Sequence, residues 1–174
     1  MAYRCEIAKR PLEALFDLRG DAAAATACLE AIGLTAPTRP NSFVVSGDAT
    51  AFWIGPRRWL LRAALAREAA LAGEFARLLT SRLDGRLAWA SLVSDMYAGF
   101  TVGGADVLDV LAQGSPLDLS PPRFAADAST MTELFGVAAL VHADAAAQGF
   151  VIHVESSQAQ FIERWLGSAR GDRT

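Results

Sequence analysis

Hydrophobic positions along this chain switch between a helical and a strand period, and they do so in the same order twice. In the first half Ala25, Cys28, Leu29 and Ile32 recur at i, i+3, i+4 and i+7, with Asp21 ahead of them as a cap and Gly33 behind as a stop, which predicts a helix laying one stripe on a sheet. Beyond a Pro/Thr loop, Phe43 to Val45, Ala51 to Ile54 and Trp59 to Ala63 are short apolar runs. Gly47-Asp48 and Gly55-Pro56-Arg57-Arg58 separate them, so they read as a three-strand meander. The next helix spans about Ala66 to Leu83, with Leu71, Phe75, Leu78 and Leu79 on its apolar stripe. Glu74 and Arg77 lie off that stripe as an i,i+3 pair, and Asp84-Gly85 ends the helix. Leu87, Trp89 and Val93 recur at even spacing in a strand that links the halves.

The second half repeats the plan. Phe16-Asp17-Leu18-Arg19-Gly20 leads into a helix in the first half as Phe100-Thr101-Val102-Gly103-Gly104 does in the second. Val107, Leu108 and Leu111 line the helix, which stops at Gly114. Pro116, Pro121 and Pro122 predict an extended surface run from Ser115 to Asp127. Strands follow at Thr130 to Leu134 and Val137 to His142, and then Phe150, Ile152 and Val154 alternate toward the core, sending Val151, His153 and Glu155 to the other face. Ser156 or Ser157 caps a last helix with Phe161, Ile162 and Trp165 on one face and Gly167 at its end. The fold class is α+β, with two similar β-α-β-β-β-α halves whose helices pack on antiparallel sheets. The boundaries are residues 1–92 for the first half, 93–168 for the second and 169–174 for a polar tail.

Composition narrows the function. Of 174 residues 52% are hydrophobic and 20% charged, the balance of a folded chain and the reverse of a disordered one. A net charge of -3 offers a polyanion no attraction, and only Arg57-Arg58 are adjacent among scattered arginines, so nucleic acid is excluded as a partner. Lys9 is the single lysine, which leaves little scope for Schiff-base or phosphate-cradling lysine chemistry. Cys5 and Cys28 form no CxxC pair, no stretch is long and apolar enough to span a bilayer, and no secretory segment opens the chain. A reduced cytoplasmic protein is expected.

The chemical constellations are sparse. His142 and His153 occupy the two arms of one hairpin, where a shared metal or proton relay is conceivable. A structural or surface role is favoured, because no cysteine and no dense carboxylate group lies near them in sequence. His153-Val154-Glu155 matches half of a zinc deaminase signature without its P-C-x-x-C half. No G-x-S-x-G elbow is present, and Cys28 falls on an apolar helix face. Gly103-Gly104 reads as a tight turn rather than a phosphate cradle, since Asp106 places negative charge beside the helix start. Asp95, between two strands, is a weak candidate for a ligand amine or a pterin ring against a turn aspartate bonding its own backbone. Arg57, Arg58 and Trp59 are interface candidates, balanced against a solvated turn with a core tryptophan. From the residues, this chain itself carries no catalytic group, cofactor or metal.

Ile54-Gly55-Pro56-Arg57-Arg58-Trp59-Leu60-Leu61 resembles the "LGP..WLL" hairpin of the gamma subunit of heterotetrameric sarcosine oxidase. Val93-Ser94-Asp95, Gly99, Gly104-Ala105, Val110-Leu111, Gly114 and Pro116-Leu117-Asp118-Leu119 resemble that family's central stretch, and Phe161 to Leu166 its terminal "F...WL" helix. The resemblance runs from about Phe16 to Gly167 in the right order, and Arg57-Arg58 departs from it where acidic or mixed residues are common. It implies part of the folate-binding fold of the glycine-cleavage T-protein, without the folate-gripping region that follows in the wider aminomethyltransferase pattern. It further implies a non-catalytic subunit that supports the folate-handling part of an alpha subunit, with beta and delta subunits as further partners. FAD, FMN, NAD and tetrahydrofolate would belong to the complex. The alternatives are a stand-alone tetrahydrofolate or one-carbon binding domain using Asp95, and a purely structural homodimer.

Overall fold

The computed structural model describes residues 2–81 and 88–171. In chain order the elements are β1 (Glu6–Lys9), β2 (Glu13–Gly20), α1 (Ala22–Ala31), β3 (Phe43–Ser46), β4 (Ala49–Gly55), β5 (Arg58–Ala64), α2 (Glu68–Ser81), β6 (Ala88–Leu92), β7 (Tyr97–Gly103), α3 (Val107–Ala112), β8 (Ser129–Leu134), β9 (Val137–Asp144), β10 (Gly149–Glu155) and α4 (Ala159–Arg170). They form two compact units, Leu12–Ser94 and Met1–Pro11 with Asp95–Thr174.

Each unit holds one five-stranded antiparallel sheet, in the order β3-β4-β5-β2-β6 in the first and β8-β9-β10-β7-β1 in the second. Position for position the two orders are the same. The β-α-β-β-β-α repeat expected from the sequence is therefore present twice, and each copy supplies four of its five strands. The fifth strand of each sheet is the segment that leads into the other repeat: β6 pairs with β2 along Phe16 to Gly20, and β1 pairs with β7 along Phe100 to Gly103.

The core of each unit lies between its sheet and its helices. In the first, Phe16, Leu18 and Leu61 from the sheet meet Ala25, Cys28 and Leu29 of α1 and Leu71 and Phe75 of α2. Those helical positions are the stripes read from the sequence, and Leu78 and Leu79 pack beside them. In the second, Phe100, Val102, Ile152 and Val154 meet Val110 and Leu111 of α3 and Ile162 and Leu166 of α4. Glu74 and Arg77 pair at 2.7 Å across one turn of α2, a surface contact worth only a few tenths of a kcal/mol.

Several local expectations are corrected. Asp21 precedes α1 without a side-chain cap bond, because its carboxylate is engaged by Arg57. A short 3-10 turn at Leu65–Arg67 comes first and α2 begins at Glu68; Asp84-Gly85 and Leu87 lie outside the described residues. In α3 Val110 takes the inward position and Leu108 is exposed. Residues 115–127 run through successive turns rather than extended, closed by Phe124 N–H to Ser120 O at 3.1 Å and Ala128 N–H to Ala125 O at 2.9 Å. Ser156 caps no helix; it opens a 3-10 turn and donates to the Asp95 carbonyl at 2.7 Å. Gly167 is interior to α4, which runs to Arg170 and ends on Gly171.

The largest correction concerns the face of α4. Ala159, Ile162, Leu166 and Ala169 are buried, at the spacing of a 3.6-residue helix, while Phe161 and Trp165 are 42% and 48% exposed. Of the three residues expected to share one face, only Ile162 faces inward. The other two form a separate i,i+4 stripe on the outer surface.

Candidate functional site

The sequence-selected residues do not gather at one place. Arg57 occupies the β4–β5 turn in a left-handed conformation (φ 57), its guanidinium bonding the Gly20 carbonyl at 3.2 Å and pairing with Asp21. Arg58, the next residue, begins β5 and reaches the opposite way along β2 to Asp17, with Nε to Oδ1 at 3.1 Å and Nη2 to Oδ2 at 2.9 Å. Trp59 is 3% exposed in the first core, its ring 5.8 Å from that of Trp53. Of this triplet Arg57 is the member most open to solvent.

Asp95 lies in a 3-10 turn, Ser94–Met96, between β6 and β7, with its side chain exposed. Its neighbour Ser94 is buried and accepts the Leu15 amide at 3.0 Å, which ties the turn to β2. His142 and His153 are 3% and 1% exposed and stack with ring centroids 6.1 Å apart and planes 17° from parallel. Val151 and His153, on the face of β10 opposite Phe150 and Ile152, are as buried as the core face. Their burial rules out a surface position for either histidine.

Gly103-Gly104 turns the chain for a reason the sequence did not reveal. Gly104 has φ +117, and a Cβ there would sit 2.6 Å from the Arg4 carbonyl oxygen, so the glycine admits the backbone leading into β1. Asp106 completes the junction, accepting from the Arg4 amide at 2.8 Å and from its guanidinium at 3.0 and 3.1 Å. That guanidinium and the amide hold the Asp106 carboxyl below its usual range. Burial pushes both thiols, Cys5 and Cys28, upward, which makes them poor nucleophiles near neutrality.

One ionic cluster went unread in the sequence. Asp17 is a buried carboxylate in the middle of β2, gripped by Arg58 and by Arg19, whose Nη2 approaches to 2.6 Å. Its signal was present, since residues 17 and 19 share a strand face. Burial raises its carboxyl affinity for protons, but the bonds from Arg19 and Arg58 outweigh it and the pKa falls below the ordinary value. A lowered folded pKa means stability that is present above the unfolded value, about 4, and is lost as pH drops through the folded one. Asp17→Asn is therefore expected to cost about 1–2 kcal/mol at neutral pH, the half-exposed arginines limiting the loss, and to flatten the acid limb of stability below about pH 4. Urea titrations of both proteins from pH 7 to low pH check this; parallel limbs would refute it.

Over residues 18–172 the sequence matches the model of the sarcosine oxidase, gamma subunit family. The chain belongs to that family. No curated protein matches the sequence. Among solved structures this gamma-family chain is similar to a chain of heterotetrameric sarcosine oxidase from Corynebacterium sp. U-96 in complex with pyrrole 2-carboxylate. The TM-score is 0.78 at 19% identity, over 98% of this chain and 86% of that one. It is also similar to the glycine cleavage system aminomethyltransferase T from Bartonella henselae, with a TM-score of 0.64 at 15% identity, over 97% of this chain and 47% of that one. The ligand-free regulatory subunit of aspartate kinase from Thermus thermophilus gives 0.53 at 12% identity, over 94% and 97%. At these identities the three structures establish the fold, and the family match carries the identification.

Proposed function

We propose that this chain is the gamma subunit of a sarcosine oxidase complex that demethylates sarcosine oxidatively to glycine and passes the one-carbon unit to tetrahydrofolate. Bond-making belongs to the companion alpha, beta and delta subunits with their FAD, FMN, NAD and folate; this chain is non-catalytic and supports the folate-handling part of alpha through a protein interface.

The observation that carries the reading is the outer stripe of α4. Helices α2 and α4 each follow a seven-residue strand and a 3-10 turn, so Leu71 and Phe75 of α2 correspond to Ile162 and Leu166 of α4, and all four are buried. On the outer face the correspondence breaks: α2 carries Ala70 and Glu74 where α4 carries Phe161 and Trp165. The repeat folds without aromatics there, so their exposure serves something other than folding. Trp165 also stacks on Phe135, centroids 5.8 Å apart and 13° from parallel, which fixes the indole in place. A rigid, exposed tryptophan flanked by a second aromatic is the usual form of an interface anchor. Arg57 is a second candidate contact.

Co-expression with the alpha, beta and delta subunits tests the proposal. The wild-type chain is expected to co-purify, and the Phe161→Ala, Trp165→Ala double variant to bind at least about tenfold more weakly. Its melting temperature should stay near that of wild type, because both side chains are largely outside the core. A wild-type chain that does not join its companions would end the reading. Saturable tetrahydrofolate binding by the isolated chain, abolished by Asp95→Ala, would favour the stand-alone domain instead.

A further inference from the structure

Helix α4 sets one cation on its outer face beside the aromatic stripe. Arg164 follows Phe161 by three residues, which makes the two neighbours on the helix surface, and it is exposed as Phe161 and Trp165 are. Among the described residues every other arginine has a partner, and Arg164 has none. Glu163 does not neutralise it within the stripe. It stands two residues from each aromatic, about 160° around the axis, and so on the opposite flank of the helix. The first repeat shows that folding does not require this charge. In α2 the position of Arg164 is Gly73, and the surface around it is made by Ala70 and the paired Glu74 and Arg77.

The aromatic part of the stripe is set before any partner arrives. Phe135, on which Trp165 stacks, donates its amide to the Gly114 carbonyl at 2.8 Å, and a side chain at Gly114 would overlap the Phe135 ring. An indole seated in this way loses little freedom on docking. The free charge then decides what the stripe can meet. A surface that closes over Phe161 and Trp165 takes Arg164 out of water with them. A wholly apolar surface would strand the guanidinium and offset what the aromatics contribute. A carboxylate at the edge of the contact removes that cost, because the planar guanidinium can donate two parallel bonds to it. A lipid surface is the poorer match, since interfacial helices carry several cations and this face has one, with Glu163 on the flank.

We propose that the α4 stripe docks on a companion subunit where an apolar pocket for Trp165 is bordered by an aspartate or glutamate, and that Arg164 pairs with that carboxylate. This rests on the reading that α4 meets a companion, and it adds the chemistry of the surface that α4 meets.

Variants of Arg164 in the reconstituted assembly test it. Arg164→Glu is expected to weaken binding to the companion subunits at least about tenfold, while Arg164→Lys, which keeps the charge and loses the fork, stays within about threefold. Added salt should weaken the wild-type chain more than Arg164→Ala. Melting temperatures should not change, because the side chain is exposed and without a partner, and Glu163→Gln on the opposite flank should leave binding within about twofold. A covalent readout identifies the partner group. Lys9 is the single lysine, so in a Lys9→Arg background the Arg164→Lys variant carries one lysine amine, on α4. A carbodiimide joins an amine to a carboxylate only in direct contact, and is expected to link this variant to an aspartate or glutamate of a companion. If Arg164→Glu binds within about twofold of wild type while the Phe161→Ala, Trp165→Ala variant does not, the carboxylate pairing is overturned and the proposed function stands. Intact binding without a link above the Lys9→Arg background overturns it likewise, as does a link between two copies of this chain. Binding to phosphatidylserine vesicles that Arg164→Glu abolishes, with companion binding unaffected, overturns it in favour of a lipid surface. A wild-type chain that binds no companion overturns both readings.

Discussion

Gly149→Val is expected to destabilise the second unit by about 3 kcal/mol or more. Gly149 opens β10, between Gly103 of β7 on one side and Asp144 of β9 on the other. A Cβ at this position would overlap the Val102 carbonyl oxygen and lie 2.7 Å from the Gly103 Cα. Both obstacles are main chain in the neighbouring strand, so neither can swing aside as a side chain would. Relief requires β10 and β7 to separate where the ladder begins. Overpacking a close contact costs about 1–3 kcal/mol even where side chains can adjust, and here about 3 kcal/mol or more is expected from a total of about 5–15. Gly149→Ala should already show much of the loss, since the first carbon is the one that collides. Gly73→Ala is the control: it lies within α2 with nothing within 4 Å of an added Cβ, and alanine should stabilise there by about 0.5–1 kcal/mol. Urea midpoints followed by circular dichroism separate the two. A Gly149→Ala protein as stable as wild type would show that β7 and β10 do not approach so closely.

Phe16→Ala should be the most costly truncation in the first unit, at about 3–5 kcal/mol. The ring stands in β2, the strand flanked by β5 and β6, and it is buried against Phe75 of α2 with centroids 5.2 Å apart. Removing it takes away the apolar area and the aromatic pair at once, and the sheet behind it cannot collapse into the space. Phe16→Leu keeps most of the volume and should cost less than about 1.5 kcal/mol. Three of the four tryptophans, Trp53, Trp59 and Trp89, lie in this unit, so indole fluorescence during urea unfolding reports chiefly on it. A loss under about 1 kcal/mol for the alanine variant would mean that Phe16 is not a keystone of this core.

What the sequence disclosed follows from how much each local pattern depends on burial. The alternation of Phe150, Ile152 and Val154 and the stripe of Leu71 and Phe75 were legible because one face of each element is wholly apolar. Phe161 and Trp165 were grouped with Ile162 on one face because all three are apolar, yet only Ile162 is buried. The 3.6-residue period from Ile162 to Leu166 and Ala169 points elsewhere. Strand β1 passed unnoticed because only Ile7 of Glu6-Ile7-Ala8-Lys9 packs on the core, leaving no alternation to read. Gly104 was correctly placed in a turn, yet the backbone that demands it, at Arg4, is remote in sequence and no local signal could name it.

The exchanged edge strands bear on how such a molecule can be divided. Cutting the chain near Asp95 would yield two fragments of plausible size, but the later fragment would leave β1 behind on the earlier one and present β7 with a bare row of amides and carbonyls. A solitary repeat thus closes its sheet only by borrowing. Two copies that lend each other their leading segments satisfy both debts, which makes an intertwined pair of half-length chains the simplest forerunner of this topology.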